Sequence, residues 1–215
     1  MYRGTWTKRI LDLAVSLPSL ILLSPLMALI AMAVLFDVGR PVIFVQERVG
    51  LHGVPFKLRK FRTMRTIVKQ DGVPLPDEQR LTRVGAFLRR TSLDELPELW
   101  NVLVGEMSLV GPRPLLTEYL PLYNERQAKR HLMKPGLTGL AQVSGRNNLS
   151  WEERFELDVF YVEHWSLLLD ISILIKTVFH VLSAKGISAP GHATMPPFTG
   201  GSSIKPKGYS REGSL

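Results

Sequence analysis

LAVSLPSLILLSPLMALIAMAVLF, residues 13–36, runs 24 positions without a charged side chain. That length suffices for a helix to cross the hydrocarbon layer of a bilayer. Arg3, Lys8 and Arg9 precede it, as basic residues precede a secretory signal. The apolar run exceeds a usual signal core, however, and no small-residue cleavage pattern stands before Asp37. Ser24-Pro25 lies at the midpoint, where proline removes a helical hydrogen bond and kinks the axis. Each arm is then about a dozen residues, roughly 18 Å at 1.5 Å per residue, too short to cross alone. Two topologies follow: a kinked transmembrane helix, or one that enters and returns through the same leaflet. Basic residues continue on the far side at Arg40, Arg48, Lys57, Arg59, Lys60 and Arg62. Because positive flanks prefer the cytoplasm, charge and the Ser-Pro break favour re-entry.

The rest of the 215 residues are enough for one domain with a sizeable core and contain no internal repeat. The absence of cysteine excludes disulfides and thiolate metal sites. A formal charge of +8 implies an anionic partner: nucleic acid, acidic lipid or a phosphorylated substrate. Hydrophobic residues at 45% favour the membrane among these.

Downstream of the apolar run, Val42 to Val45 reads as a short strand, Gly50 to Gly53 as a turn, and Phe56 to Met64 as a second strand. That strand carries Lys57, Arg59, Lys60 and Arg62, whose alternation puts the first two on one face and the last two on the other. A solvated or lipid-facing basic edge accounts for most of these charges. Thr66 to Arg80, with Asp71-Gly72 and Pro74-Leu75-Pro76, has loop chemistry. Leu81 to Arg90 resumes as a helix whose final arginines complement its C-terminal dipole.

Thr91-Ser92-Leu93-Asp94-Glu95-Leu96-Pro97 comes next. Pro97 is tolerated only in a first turn, so a helix is expected to begin at about Leu93 or Asp94, with both carboxylates near its positive end. Two readings stand side by side. Ser92-x-x-Glu95 fits a capping box; alternatively, a carboxylate held ionised at a helix start is a nucleophile toward phosphorus. Shortly after, Arg113 is pinned between Pro112 and Pro114, with little backbone freedom and a fork suited to bidentate phosphate recognition.

Leu120 to Leu132 reads as a polar helix and Met133 to Gly145 as a Gly-rich loop region. Gln142 and Arg146 there are candidate donors to a nucleotide or diphosphate, against ordinary loop bonding as the alternative. Trp151 to Tyr161 is an amphipathic helix opened by Ser150, and His164 a solvated turn residue. Leu167 to Lys185 is apolar but interrupted by Asp170, Lys176 and His180, which fits an interfacial or core-packed helix better than a span. The last 30 residues hold 6 Gly, 4 Pro and 5 Ser, a composition expected to order poorly.

The string around Asp94 and the Ser108-Leu109-Val110-Gly111-Pro112-Arg113-Pro114 string together resemble the bacterial sugar transferases, specifically the small monotopic phosphoglycosyl transferases, including those acting on bacillosamine donors. Lys60-Phe61-Arg62-Thr63-Met64, Lys134-Pro135-Gly136-Leu137-Thr138-Gly139 and Gly145-Arg146-Asn147 extend the match to about residue 190. The resemblance implies transfer of a sugar 1-phosphate from a UDP-sugar to polyprenyl phosphate through an aspartyl-phosphosugar on Asp94. It also implies a re-entrant anchor in the inner membrane with the catalytic domain on the cytoplasmic face. Lys60 and Arg62 become substrate-binding candidates because they lie in a matching string. Two phosphorylated substrates call for a neutralising metal; magnesium needs only one or two carboxylates, and Glu95 is the expected ligand, with Arg113 and Arg146 on the diphosphate.

The expected fold is therefore a helix-rich α+β chain: a re-entrant membrane helix broken at Ser24-Pro25 over 1–38, a catalytic domain over 39–185, and the tail over 186–215. The domain would combine a small β element, a catalytic helix and interfacial amphipathic helices. A glycosidase is disfavoured because neighbouring carboxylates on one turn cannot flank a sugar from opposite sides. A membrane-tethered nucleic-acid or anionic-lipid binder without activity would explain the +8 charge. It would leave the Asp-Glu pair and Pro-Arg-Pro unexplained, and no base-stacking module is visible, so nucleic acid is not expected as a partner.

Overall fold

The computed structural model describes residues 5–66, 75–145, 149–183 and 197–200. Its first element, helix α1, is Thr5–Asp37 and contains the whole uncharged run. It is long and apolar enough to cross a membrane. Contrary to the expected break, Ser24-Pro25 does not end the helix. Proline at 25 leaves the Ile21 carbonyl without its usual N–H, and the Ser24 hydroxyl donates to that same carbonyl at 2.8 Å. One face of α1 is bare apolar surface, with Leu22 79% and Phe36 84% exposed.

The other face is fastened at both ends. Near the start, the Lys8 ammonium lies 2.6 Å from Asp170 and Arg9 donates to the Val102 and Leu103 carbonyls. Asp12 accepts from the Ser108 hydroxyl and the Leu109 N–H. Near the end, Asp37 accepts from the Val84 N–H, while Ile30, Val34 and Val38 pack with Phe61 and Leu88.

Strands β1 (Ile43–Val49) and β2 (Pro55–Phe61) form an antiparallel hairpin, in register from Ile43 opposite Phe61 to Val49 opposite Pro55. The first strand is longer and the second shorter than the residue types suggested. After Phe61 the chain turns away to meet the next helix, where Gly85 lies so close to the Thr63 carbonyl that any side chain would collide with it. Of the expected loop, residues 67–74 lie outside the described residues, and Asp77–Arg80 is a helical turn, α2. Helix α3 is Arg83–Thr91, opened by the Thr82 hydroxyl, which accepts from the Gly85 N–H.

Helix α4, Glu98–Val104, leads to strand β3, Ser108–Val110. The polar helix expected over Leu120 to Leu132 is instead three short pieces: 3-10 turns at Thr117–Leu122 and Lys129–Leu132 around α5, Glu125–Ala128. Pro121 interrupts the ladder, and Asn124 opens a fresh turn with its own capping box to Gln127. The region expected as loop contains strand β4, Gly136–Thr138, parallel to β3, and helix α6, Leu140–Ser144. Gly111 and Gly136 face each other there without room for a Cβ on either.

Helix α7, Trp151–Glu163, begins with the Ser150–Glu153 capping box, and α8 is Leu167–Ser183. Asp170, an apparent interruption of an apolar run, is fully buried. It pairs with Lys8 and accepts from the Tyr161 hydroxyl at 2.6 Å and the Trp165 indole at 3.0 Å. Leu168, Ile175 and Phe179 of α8 face outward.

The main core joins Leu58, Leu99, Val102, Met107, Val110, Tyr161 and Ile173. Beside it, Arg130 and Asp158 form a buried pair at 2.6 Å, and Arg130 also donates to the Arg113 carbonyl, tying α7 to the Pro-Arg-Pro segment. Of the tail, only 197–200 are described; Phe198 packs there among Tyr119, Tyr123, Trp151 and Phe155.

Candidate active site

Helix α3 stops at Ser92, whose φ of 58° is left-handed and whose N–H closes the helix on the Leu88 and Arg89 carbonyls. Ser92 is thus the end of one helix rather than the start of the next, and its hydroxyl makes no cap bond, so the expected capping box does not form. Leu93–Glu95 is a single 3-10 turn, as tight turns between helices often are. Pro97 follows, and α4 proper begins only at Glu98. Asp94 and Glu95 consequently sit ahead of the helix rather than in its first turn. Side-chain cations, not the helix dipole, govern them.

The two carboxylates have opposite surroundings. Glu95 Oε1 accepts from Lys60 Nζ at 2.7 Å and from Arg113 Nη2 at 2.6 Å. Burial opposes its charge, but the Arg113 guanidinium and Lys60 ammonium outweigh that and hold it well below the usual carboxylate range. Asp94, among the described residues, makes no hydrogen bond or ion pair. It faces a cavity of about 1950 Å³. Burial, aided by the Glu95 charge, pushes it up to about 6, with Lys60, Arg89 and Arg113 pulling the other way.

A third carboxyl completes the cluster. Glu98, 2% exposed, lies 2.9 Å from Lys60 Nζ without hydrogen-bonding geometry, and burial pushes it up to about 7 against the pull of Lys60. Lys60 itself is held charged by Glu95 and Glu98 despite its burial. Arg113 is raised by Glu95.

Of the other expected site residues, Arg62 lines the cavity while donating to the Met64 and Arg40 carbonyls, so its guanidinium braces two loops. Gln142 lines it too; Nε2 donates to the Leu137 carbonyl at 3.3 Å, and Oε1 is buried without a partner. Arg146 lies outside the described residues. Sequence reasoning missed Glu98, three positions after Glu95 and just beyond that string, and treated Arg89 and Arg90 as dipole partners. Both arginines line the cavity, with Arg48 and Arg154 opposite in charge to the carboxylates they join there. The signal was the clustering of cations in separate segments, whose convergence only the fold reveals.

Chemically, the arrangement offers an unencumbered carboxylate beside a neutralised one, in a cation-rich cavity suited to phosphates. Among the described residues no three His, Asp or Glu side chains are placed so that together they could hold a metal ion. Among the described residues Glu95 Oε2 takes no hydrogen bond, so one carboxylate oxygen is open to a cation.

Residues 3–184 match the family model described as bacterial sugar transferase. An uncharacterized sugar transferase of Bacillus subtilis is 51% identical over 197 residues, covering 92% of this chain and 98% of that protein. The UDP-galactose-lipid carrier transferase of Erwinia amylovora is 44% identical over 86% of this chain and 42% of its own length. The UDP-glucose:undecaprenyl-phosphate glucose-1-phosphate transferase of Klebsiella pneumoniae is 44% identical over 80% of this chain and 39% of its own. The chain thus spans about two-fifths of each of these two longer relatives.

Proposed function

The chain belongs to the bacterial sugar transferase family, and on that premise we propose that it moves a sugar 1-phosphate from a UDP-sugar to a polyprenyl phosphate through a covalent intermediate on Asp94. The observation that carries this reading is the contrast within the acidic pair: Glu95 is bonded to two cations, whereas Asp94 is unbonded and faces the cavity. A nucleophile has to be free to approach phosphorus, and only Asp94 is.

In the first step an Asp94 carboxylate oxygen attacks the phosphorus bearing the sugar. The acyl–phosphate bond forms, the bond to the bridging oxygen breaks, and UMP leaves with that oxygen. In the second, a phosphate oxygen of the polyprenyl phosphate attacks the same phosphorus, forming the diphosphate-linked sugar and returning Asp94 as a carboxylate. Neither attacking oxygen needs deprotonation at neutral pH, so the step calls for no general base. Lys60 and Arg113, held on one carboxylate oxygen, are positioned to exchange it for phosphate oxygens. Magnesium bound through the free Glu95 oxygen would supply charge neutralisation for the diphosphate.

The anchor is read as monotopic on the cytoplasmic face of the inner membrane, in contact with lipid along the bare side of α1. Charged residues near both ends of α1 bond to the same domain, Lys8, Arg9 and Asp12 at one end and Asp37 at the other. A spanning helix would have its ends on opposite sides of the bilayer.

Incubation with UDP-sugars, beginning with the UDP-galactose and UDP-glucose of its relatives, tests the activity. With magnesium present, UMP release should continue over many turnovers only when undecaprenyl phosphate is added. Sustained release without the acceptor would mark a hydrolase instead.

A further inference from the structure

We propose that the hydrocarbon chain of the acceptor lies in the groove between α1 and α8, entering sideways from the bilayer. The inference rests on reading the acceptor as a polyprenyl phosphate and locates where that molecule sits. Two helical stripes line the groove: Val15, Ser19 and Leu23 on α1, and Leu174, Thr177 and Val181 on α8. Their spacing of three and four places each set on one helix face.

The buried Lys8–Asp170 pair ties the two helices together just before the stripes begin. Beyond that tie both stripes line one cavity, so they border a common space. By helical rise the α8 stripe extends roughly 10 Å from Leu174 to Val181, room for about two extended five-carbon units. The Thr138 and Thr177 hydroxyls bond each other at 2.7 Å, so this part of the wall offers an apolar guest little unmet polarity.

The groove is continuous with the chemistry. Its cavity also contains Asp94, Glu95, Lys60 and Arg113. The cavity therefore combines apolar wall with cations, matching a molecule with a long hydrocarbon tail and a phosphate head. On the outer side of the same helices, Leu22 and Phe179 are exposed and apolar, placing the groove's flanks in lipid. A water-soluble phosphate would gain nothing from such a wall.

The test uses the full chain in vesicles of phosphatidylethanolamine and phosphatidylglycerol, with a prenyl phosphate carrying a diazirine in its second isoprene unit. Photolysis should label peptides containing residues 15–23 or 174–181, and excess undecaprenyl phosphate should suppress the labelling at least about fivefold. Ser19→Trp or Val181→Trp, each filling the groove from one side, should lower competable labelling about tenfold, which corresponds to roughly 1.4 kcal/mol of binding. Leu22→Trp, on the bare face, should leave it unchanged.

Labelling that is uncompeted, or that falls on other segments, would overturn the proposal, and so would full labelling in both filled variants. Should a variant fail to insert, the map of labelled peptides in the wild type decides alone. Competed labelling in a protein that releases no UMP would retain the groove and defeat the catalytic reading. UMP release with labelling elsewhere would do the reverse.

Discussion

Asp94 and Glu95 are adjacent and differ by one methylene, yet their surroundings push them in opposite directions. With Asp94 raised to about 6, its carboxylate is lost as pH falls through that value, while Glu95 stays ionised. Acceptor-free UMP release, followed in a single turnover, should therefore fall about tenfold per pH unit below 6 and level off above it. A flat profile from pH 5 to 8 would exclude Asp94 as the titrating nucleophile. The same shift has a stability consequence. A carboxyl raised by folding binds more protons folded than unfolded, so ionising Asp94 costs stability as pH rises from about 4 through 6. At this scale Asp94, Glu95, Arg113 and Lys60 were legible in the sequence because motif strings carry them. The role of Ser92 was not, since a Ser-x-x-Glu string looks the same whether Ser92 opens a helix or, with φ of 58°, closes the one before. Glu98 was hidden for a similar reason: its burial depends on how Lys60 arrives from β2.

Among the elements, α1 was the most legible, because 24 uncharged residues in a row have few soluble uses. What the sequence concealed is how the helix is held. Lys8 reads as a flanking charge and Asp170 as a flaw in an apolar segment, but both are buried partners of each other, and Asp12 is buried against Ser108. The β3–β4 pair escaped notice because three residues per strand are too few to alternate, and their parallel pairing joins segments far apart in the chain. The topology read from α1 yields a direct expectation. Single cysteines at Trp6 and His52, placed in a cysteine-free chain, should both resist a membrane-impermeant thiol reagent applied to the periplasmic side of intact cells, and both should react once the cells are opened. Labelling of position 6 alone from outside would mean that α1 spans.

For the molecule as a whole, stability and site placement depend on the same buried charges. The side chains of Arg130 and Asp158 are each 1% exposed, and Arg130 also holds the Arg113 carbonyl, so Arg130→Ala strands a carboxylate and loosens the Pro-Arg-Pro segment. Its expected cost is about 3–5 kcal/mol, against a smaller loss for the paired Arg130→Met, Asp158→Leu replacement, which still forfeits the bond to the Arg113 carbonyl, as denaturant unfolding in detergent would measure. Equal losses in the two variants would show that the pair's charge is not what matters. The net charge of +8 pointed to an anionic partner without identifying it. The fold narrows the choice, because it gathers Lys60, Arg89 and Arg113 from three separate segments around Asp94, in one cavity with apolar walls. The central claim, that Asp94 carries the sugar phosphate, is tested most directly by mass spectrometry of the wild type incubated with a UDP-sugar and no acceptor. One phosphosugar per chain on the peptide containing Asp94, absent from Asp94→Asn, is the predicted result; an adduct on another residue, or a stoichiometric burst of UMP retained by Asp94→Asn, would contradict it.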